Sequence, residues 1–168
     1  MRIFNWIRSL FVRKVVAKLP REVIDGEYFA TDSNYIWMRD LCKEVNKIMH
    51  NDSFRSEVIN TNEFIYTSDN GFTVYEKLTI PYVTVIRIYT SKNPWSSAIA
   101  TTFTGDKENI YLNTRRNPRP MPEMVNTAIH ERLHSFGYGH GSNSPVGKEN
   151  SVNYKVGSIA EKYVGGYE

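Results

Sequence analysis

Three of the chain's four histidines stand within one short stretch, His130-Glu131-Arg132-Leu133-His134-Ser135-Phe136-Gly137-Tyr138-Gly139-His140. On a helix, His130 and His134 share a face and can point at a single ion. Glu131 is beside the first of them, within reach of a water on that ion. Gly137 adopts a left-handed conformation without a Cβ penalty, so it can end the helix and turn the chain back to bring in His140. Three neutral imidazoles leave a fourth tetrahedral position open, the arrangement in which catalytic zinc is held. Such an ion lowers the pKa of its water to about 7 and polarises a carbonyl. Glu131 would then serve as general base and return the proton to a leaving amine. By chance, the whole pattern should arise in only about one chain of this size in 10⁵, so we read it as a metal site.

The stretch resembles the zinc signature of the metzincin clan of metallopeptidases, H-E-x-x-H-x-x-G-x-x-H, with no subfamily assigned. That resemblance implies a mixed, twisted α/β sheet of the zincin type with a backing helix, an active-site helix and a small C-terminal subdomain carrying a last helix. It also implies a zinc-dependent endopeptidase that takes an extended protein or peptide along an edge strand. Residues 97–103 resemble that edge strand, with backbone pairing to substrate at Ala98 and Ala100. Residues 110–112 resemble the strand before the active-site helix. The clan places a methionine in a tight turn beneath the metal. Here no methionine follows Met124, and Asn153 takes that place within Ser151-Val152-Asn153-Tyr154. Tyr154, just after the turn, is either a hydrogen-bond donor to the developing oxyanion or a core tyrosine. Tyr138 either shapes the wall of the site or packs in the core.

The positioning elements are read from pattern. Thr31-Asp32-Ser33 offers an N-cap, and Met38, Leu41, Cys42, Val45, Ile48 and Met49 follow helical spacing; His50 is expected to cap this backing helix. Residues 64–67 and 72–78 flank Asp69-Asn70-Gly71 and read as a β-hairpin. Residues 82–90, rich in β-branched and aromatic side chains, predict a central strand that Asn93-Pro94 ends. Residues 115–120 form a basic, proline-containing loop, solvated or in touch with acidic substrate. Pro122 and Glu123 suit the first turn of the active-site helix, with Val125, Ala128, Ile129 and Leu133 inward. A last helix is predicted over residues 158–164.

The chain's 168 residues, 40% hydrophobic and 23% charged, suit one soluble domain. We divide it into a basic segment, 1–20, and a metallopeptidase domain, 21–168, with subdomains 21–137 and 138–168. The net charge of +3 is too small to imply nucleic acid. A lone cysteine forbids an intrachain disulfide; Cys42 lies inside a helical pattern and reads as core, not as a thiol blocking zinc. In residues 1–20, Arg and Lys interrupt every apolar run, so neither a signal peptide nor a membrane span fits. That segment either packs on the domain, the preferred reading, or lies on a membrane surface. A cytoplasmic monomer is expected. Two further functions stand beside peptidase: a non-catalytic, metal-stabilised binding module, and a membrane-surface interaction protein.

Overall fold

The computed structural model describes residues 27–103, 106, 108–140 and 148–166. The basic segment 1–20 and the loop after His140 lie outside them, as does Gly105.

Apolar spacing produces the first long helix, α1 (Ile36–Met49), whose buried side is Met38, Leu41, Cys42, Val45, Ile48 and Met49. His50 is its C-cap residue. The predicted N-cap triplet serves another purpose. The Thr31 hydroxyl donates to the Ile86 carbonyl at 2.8 Å, and Asp32 pairs with Arg87 at 2.7 Å. These polar groups tie the segment before α1 to the sheet, and the helix starts after Tyr35 with no side-chain cap.

The expected hairpin is not formed. A short helix α2 (Asp52–Ile59) begins at Asn51, whose side chain accepts the Phe54 N–H at 2.7 Å. A further helix, α3 (Gly71–Leu78), occupies the predicted second strand. Asn70 does not make a β-turn but caps α3, accepting the Thr73 N–H at 2.9 Å. Gly71 is required by close approach: a Cβ there would lie 2.2 Å from the Val58 carbonyl oxygen and 2.6 Å from that of Thr61. Of the predicted first strand, Ile65 alone forms a bridge, to Ser151.

The sheet has four strands in the order β1-β2-β4-β3: β1 (Phe29–Ala30), β2 (Thr84–Tyr89), β3 (Ala100–Thr101) and β4 (Asn109–Asn113). β1, β2 and β4 run parallel, and β3 is an antiparallel edge on β4. The parallel centre is buried on both faces, as such strands are; Val85, Ile86, Ile110 and Leu112 are all at most 3% exposed. A single core joins these strands to α1 and to the two helices that follow.

The next helix, α4 (Met121–Ser135), carries Pro122 and Glu123 in its first turn and buries Met124, Val125, Ala128, Ile129 and Leu133. It also buries Arg132 completely. Among the described residues, no carboxylate meets this guanidinium. Its Nε donates to the Leu78 carbonyl and its terminal nitrogens to those of Tyr28, Ile80 and Tyr82, at 2.9 to 3.1 Å, and to the Thr84 hydroxyl. The rings of Tyr28, Phe29, Tyr82 and Phe136 surround it. A charge sealed away from water is tolerated when all its donors are met and rings present their negative faces. The cage locks the α3–β2 connection and the start of β1 to the back of α4.

The last helix, α5 (Val152–Glu161), starts earlier than predicted. The residues read as a turn beneath the site, 151–154, are its N-cap and first turn, preceded by a 3₁₀ turn at Lys148–Asn150. α5 crosses α4 closely because Gly157 has no side chain: a Cβ there would lie 2.5 Å from Asn126 Oδ1 and 3.0 Å from Asn126 O. Among the described residues, no helix is long and apolar enough to cross a membrane.

Candidate metal centre

α4 aims His130 and His134 into a cleft of about 840 Å³. Gly137, at φ +91°, then turns the chain. Its N–H bonds the His134 carbonyl at 3.0 Å, and the Tyr138 N–H bonds that of Leu133 at 3.2 Å. These are the paired bonds of a Schellman ending. The reversal returns His140 to the other two imidazoles.

The three Nε2 atoms form a nearly equilateral triangle, with sides of 3.1 Å (His130–His140), 3.2 Å (His130–His134) and 3.1 Å (His134–His140). His134 Nδ1 lies 2.7 Å from the Tyr138 carbonyl oxygen. A carbonyl only accepts, so Nδ1 carries the proton and Nε2 presents a bare lone pair. Burial, followed by the charges of His134, His140 and Lys148, pushes the His130 pKa down to about 3. Burial, then the charges of His134 and Lys148, lower His140. The imidazoles of His130 and His140 are therefore held in the neutral form that binds metal. The corners of such a triangle lie about 1.8 Å from its centre, close to the Zn–N length of about 2.0–2.1 Å, so His130, His134 and His140 would hold one ion between them. The three histidines are the group of metal-ligating side chains that the described residues bring together, and their geometry suits a metal ion.

Glu131 lines the same cleft. Its Oε2 accepts the Thr102 hydroxyl at 2.7 Å. Burial raises its pKa, while the Thr102 bond and His134 draw it back. Tyr154 also lines the cleft; its ring centre is 4.6 Å from that of His130, nearly perpendicular, and 5.0 Å from that of His140. Asn153 is fully buried, and its Nδ2 donates to the His130 carbonyl at 3.1 Å.

Tyr138 takes the core alternative. It is 6% exposed, and its hydroxyl donates to Asp69 at 2.7 Å. It serves the site through its backbone carbonyl. Ala98 and Ala100 differ from each other. The Ile99 carbonyl accepts the Asn113 N–H at 2.9 Å, so Ile99 faces β4. By antiparallel alternation, the N–H and C=O of Ala100 point away from β4, to the open edge of the sheet. The Ala98 carbonyl is instead taken by the Asn113 side chain at 2.8 Å, and Ala98 does not line the cleft.

The arginines of the basic loop are occupied. Arg115 and Arg116 bond the Ser91 and Ser96 carbonyls, and Arg119 pairs with Glu123 at 2.9 Å while lining one end of the cleft. Sequence reasoning missed Thr102 and Arg132. Thr102 lies within the predicted edge strand, and its hydroxyl was the available signal. Arg132 carries no signal in local spacing.

No protein-family model, no curated protein and no solved structure matches this chain.

Proposed function

We propose that this chain is a zinc-dependent endopeptidase with a metzincin-like arrangement of sheet, active-site helix and last helix. The observation that carries the reading is the triangle of Nε2 atoms at 3.1 to 3.2 Å on α4 and the turn after it. Three imidazoles are the donor set expected of a zinc site with an open position, and softer or all-oxygen sites use other ligands. When bound, zinc would supply Lewis acidity, acidifying a water and polarising the scissile carbonyl.

The rest of the chemistry belongs to the chain. Thr102 holds one oxygen of the Glu131 carboxylate and leaves the other to take a proton from the attacking water. Burial makes that carboxylate a stronger base than an exposed one. Glu131 then delivers the proton to the departing amine nitrogen. The outward N–H and C=O of Ala100 pair with an extended substrate backbone and fix its register. The Tyr154 hydroxyl donates to the oxygen that gains charge in the transition state. The working form is the single chain with a protein or peptide as substrate.

The test is a peptide-library digest with and without a chelator, with the products sequenced. Chelator-sensitive cleavage restored by zinc is expected. Cleavage indifferent to chelation, or none by the zinc-loaded protein, would defeat the proposal.

A further inference from the structure

The cleft has a direction. Asn117, just before α4, donates from its side chain to the Ile99 carbonyl at 3.0 Å, and Thr102 donates to Glu131, well along that helix. The edge strand therefore runs beside α4 from its start towards the histidines. Arg119, Glu123, Asn126 and Thr127 line the cleft at the start of α4, and α5 supplies Glu161 to the same end.

The charges at this end do not balance. Arg119 is answered by Glu123 at 2.9 Å and bonds the Thr127 hydroxyl. Glu161 is half-buried, and among the described residues none of the five ion pairs includes it. The neighbouring cations of α5 turn elsewhere, Lys162 to Glu57 and Lys155 to the Asn62 carbonyl. One oxygen of Glu161 accepts the Asn126 amide at 2.8 Å. Asn126 is itself fixed, because its side chain fills the space that a Cβ on Gly157 would take. Glu161 is also the last residue of α5, the end at which a carboxylate opposes the helix dipole and a cation is favoured. A positioned carboxylate thus lines the cleft with no cation of the described chain upon it.

We propose that Glu161 is a specificity-determining residue, pairing through its second oxygen with a lysine or arginine side chain of the substrate. Asn126, which holds it, precedes His130 by one helical turn, about 6 Å along the axis. An extended chain rises about 3.3 Å per residue. The basic side chain therefore belongs to a residue one or two positions from the bond at the histidine triangle, towards the start of α4. An acidic side chain there meets a like charge and is disfavoured.

The inference rests on reading the cleft as a peptidase site, and its experiment separates the two. Fluorescent peptides carry a single Lys, Gln or Glu moved through each position of an otherwise uncharged sequence. Their binding is measured on the zinc-loaded full chain with Glu131→Gln, alone and combined with Glu161→Gln, and their cleavage on wild type. At one position Lys should bind at least about fivefold tighter than Gln, and Glu more weakly than Gln. The Lys preference should shrink as salt is raised. Glu161→Gln keeps an oxygen for Asn126, so it should hold the melting temperature and bring Lys and Gln within about twofold. No Lys preference, one indifferent to salt, or one that survives Glu161→Gln overturns the role of Glu161. A preference for Glu overturns it as well and assigns the subsite to Arg119. Cleavage by wild type without regard to the place of Lys removes the subsite and leaves the peptidase reading standing. Lys-selective binding that depends on Glu161, with no cleavage by wild type, does the reverse. Absence of binding by every peptide overturns both.

Discussion

The imidazole of His134 is locked by the backbone of Tyr138: Nδ1 and the carbonyl oxygen are 2.7 Å apart, four residues along the chain and on the far side of a helix ending. The ligand and the turn that delivers the third ligand are therefore one unit. A partner of this kind fixes both tautomer and ring orientation, and its loss typically weakens metal binding 10–100-fold.

Gly137 is the hinge of that unit. A Cβ there would meet nothing within 4 Å, so the φ of +91° is its sole demand. Gly137→Ala should destabilise the fold by roughly 1–2 kcal/mol and weaken zinc at least tenfold by misplacing His140. Urea denaturation and competition with a zinc chelator measure the two effects. Full affinity in the variant would show that the turn does not set the third ligand.

Glu131→Gln removes the base and keeps the shape. It should retain zinc at the wild-type stoichiometry and lose about 10²–10⁴-fold in turnover. Metal analysis and a fluorogenic peptide assay decide it; undiminished turnover refutes the role given to Glu131.

Zinc should also stabilise the fold, because all three donors must be folded to converge. At a free zinc concentration a hundred times Kd, the gain is about 2.7 kcal/mol, visible as a rise in melting temperature. The rise should be much smaller in His140→Ala. An equal rise in that variant removes His140 from the ligand set.

Arg132 gives a prediction about the interior. Arg132→Met takes the donor from the Leu78, Ile80 and Tyr82 carbonyls and one of two from that of Tyr28, and should cost at least about 3 kcal/mol. Arg132→Lys, with three donors instead of five, should fall between it and wild type. Denaturation curves supply the comparison; a methionine variant as stable as wild type would mean that water satisfies the carbonyls.

Asp69 links stability to pH. The hydrogen bond from Lys77, then that from the Tyr138 hydroxyl, hold its carboxyl below the ordinary carboxylate range. A depressed folded-state pKa adds stability above the unfolded value of about 3.9. That contribution disappears as pH falls through the folded value. The group is close to the surface, so the gain stays under about 1 kcal/mol. Wild type should exceed Asp69→Asn in stability at pH 6, and the two should converge below pH 4. A constant difference across that range would assign the effect to something other than ionisation.

The metal centre was legible because its residues lie close along the chain and each spacing has a geometric meaning. α1 was legible because one buried face repeats with a clean period, and β2 because it is a run rich in β-branched and aromatic side chains. The segment around Asn70 was misread because Asp-Asn-Gly satisfies two rules at once. It is a hairpin turn between strands and a cap before a helix, and tertiary packing of Gly71 on the carbonyls at the end of α2 decides between them. α2 is short and shows two buried residues, Phe54 and Val58, too few to establish a period. Arg132 occupies a free position of the motif, and its cage is assembled from β1 and the α3–β2 connection, far away in sequence.

The buried guanidinium at the back of α4 has a bearing on how an ion would arrive. His130 and His134 face outward from the helix whose opposite side grips two stretches of main chain. Any slide or roll of that rod would strand a charge in oil. The ligand cradle is thus assembled before its guest enters, and loading becomes a simple docking event with little reorganisation of the scaffold.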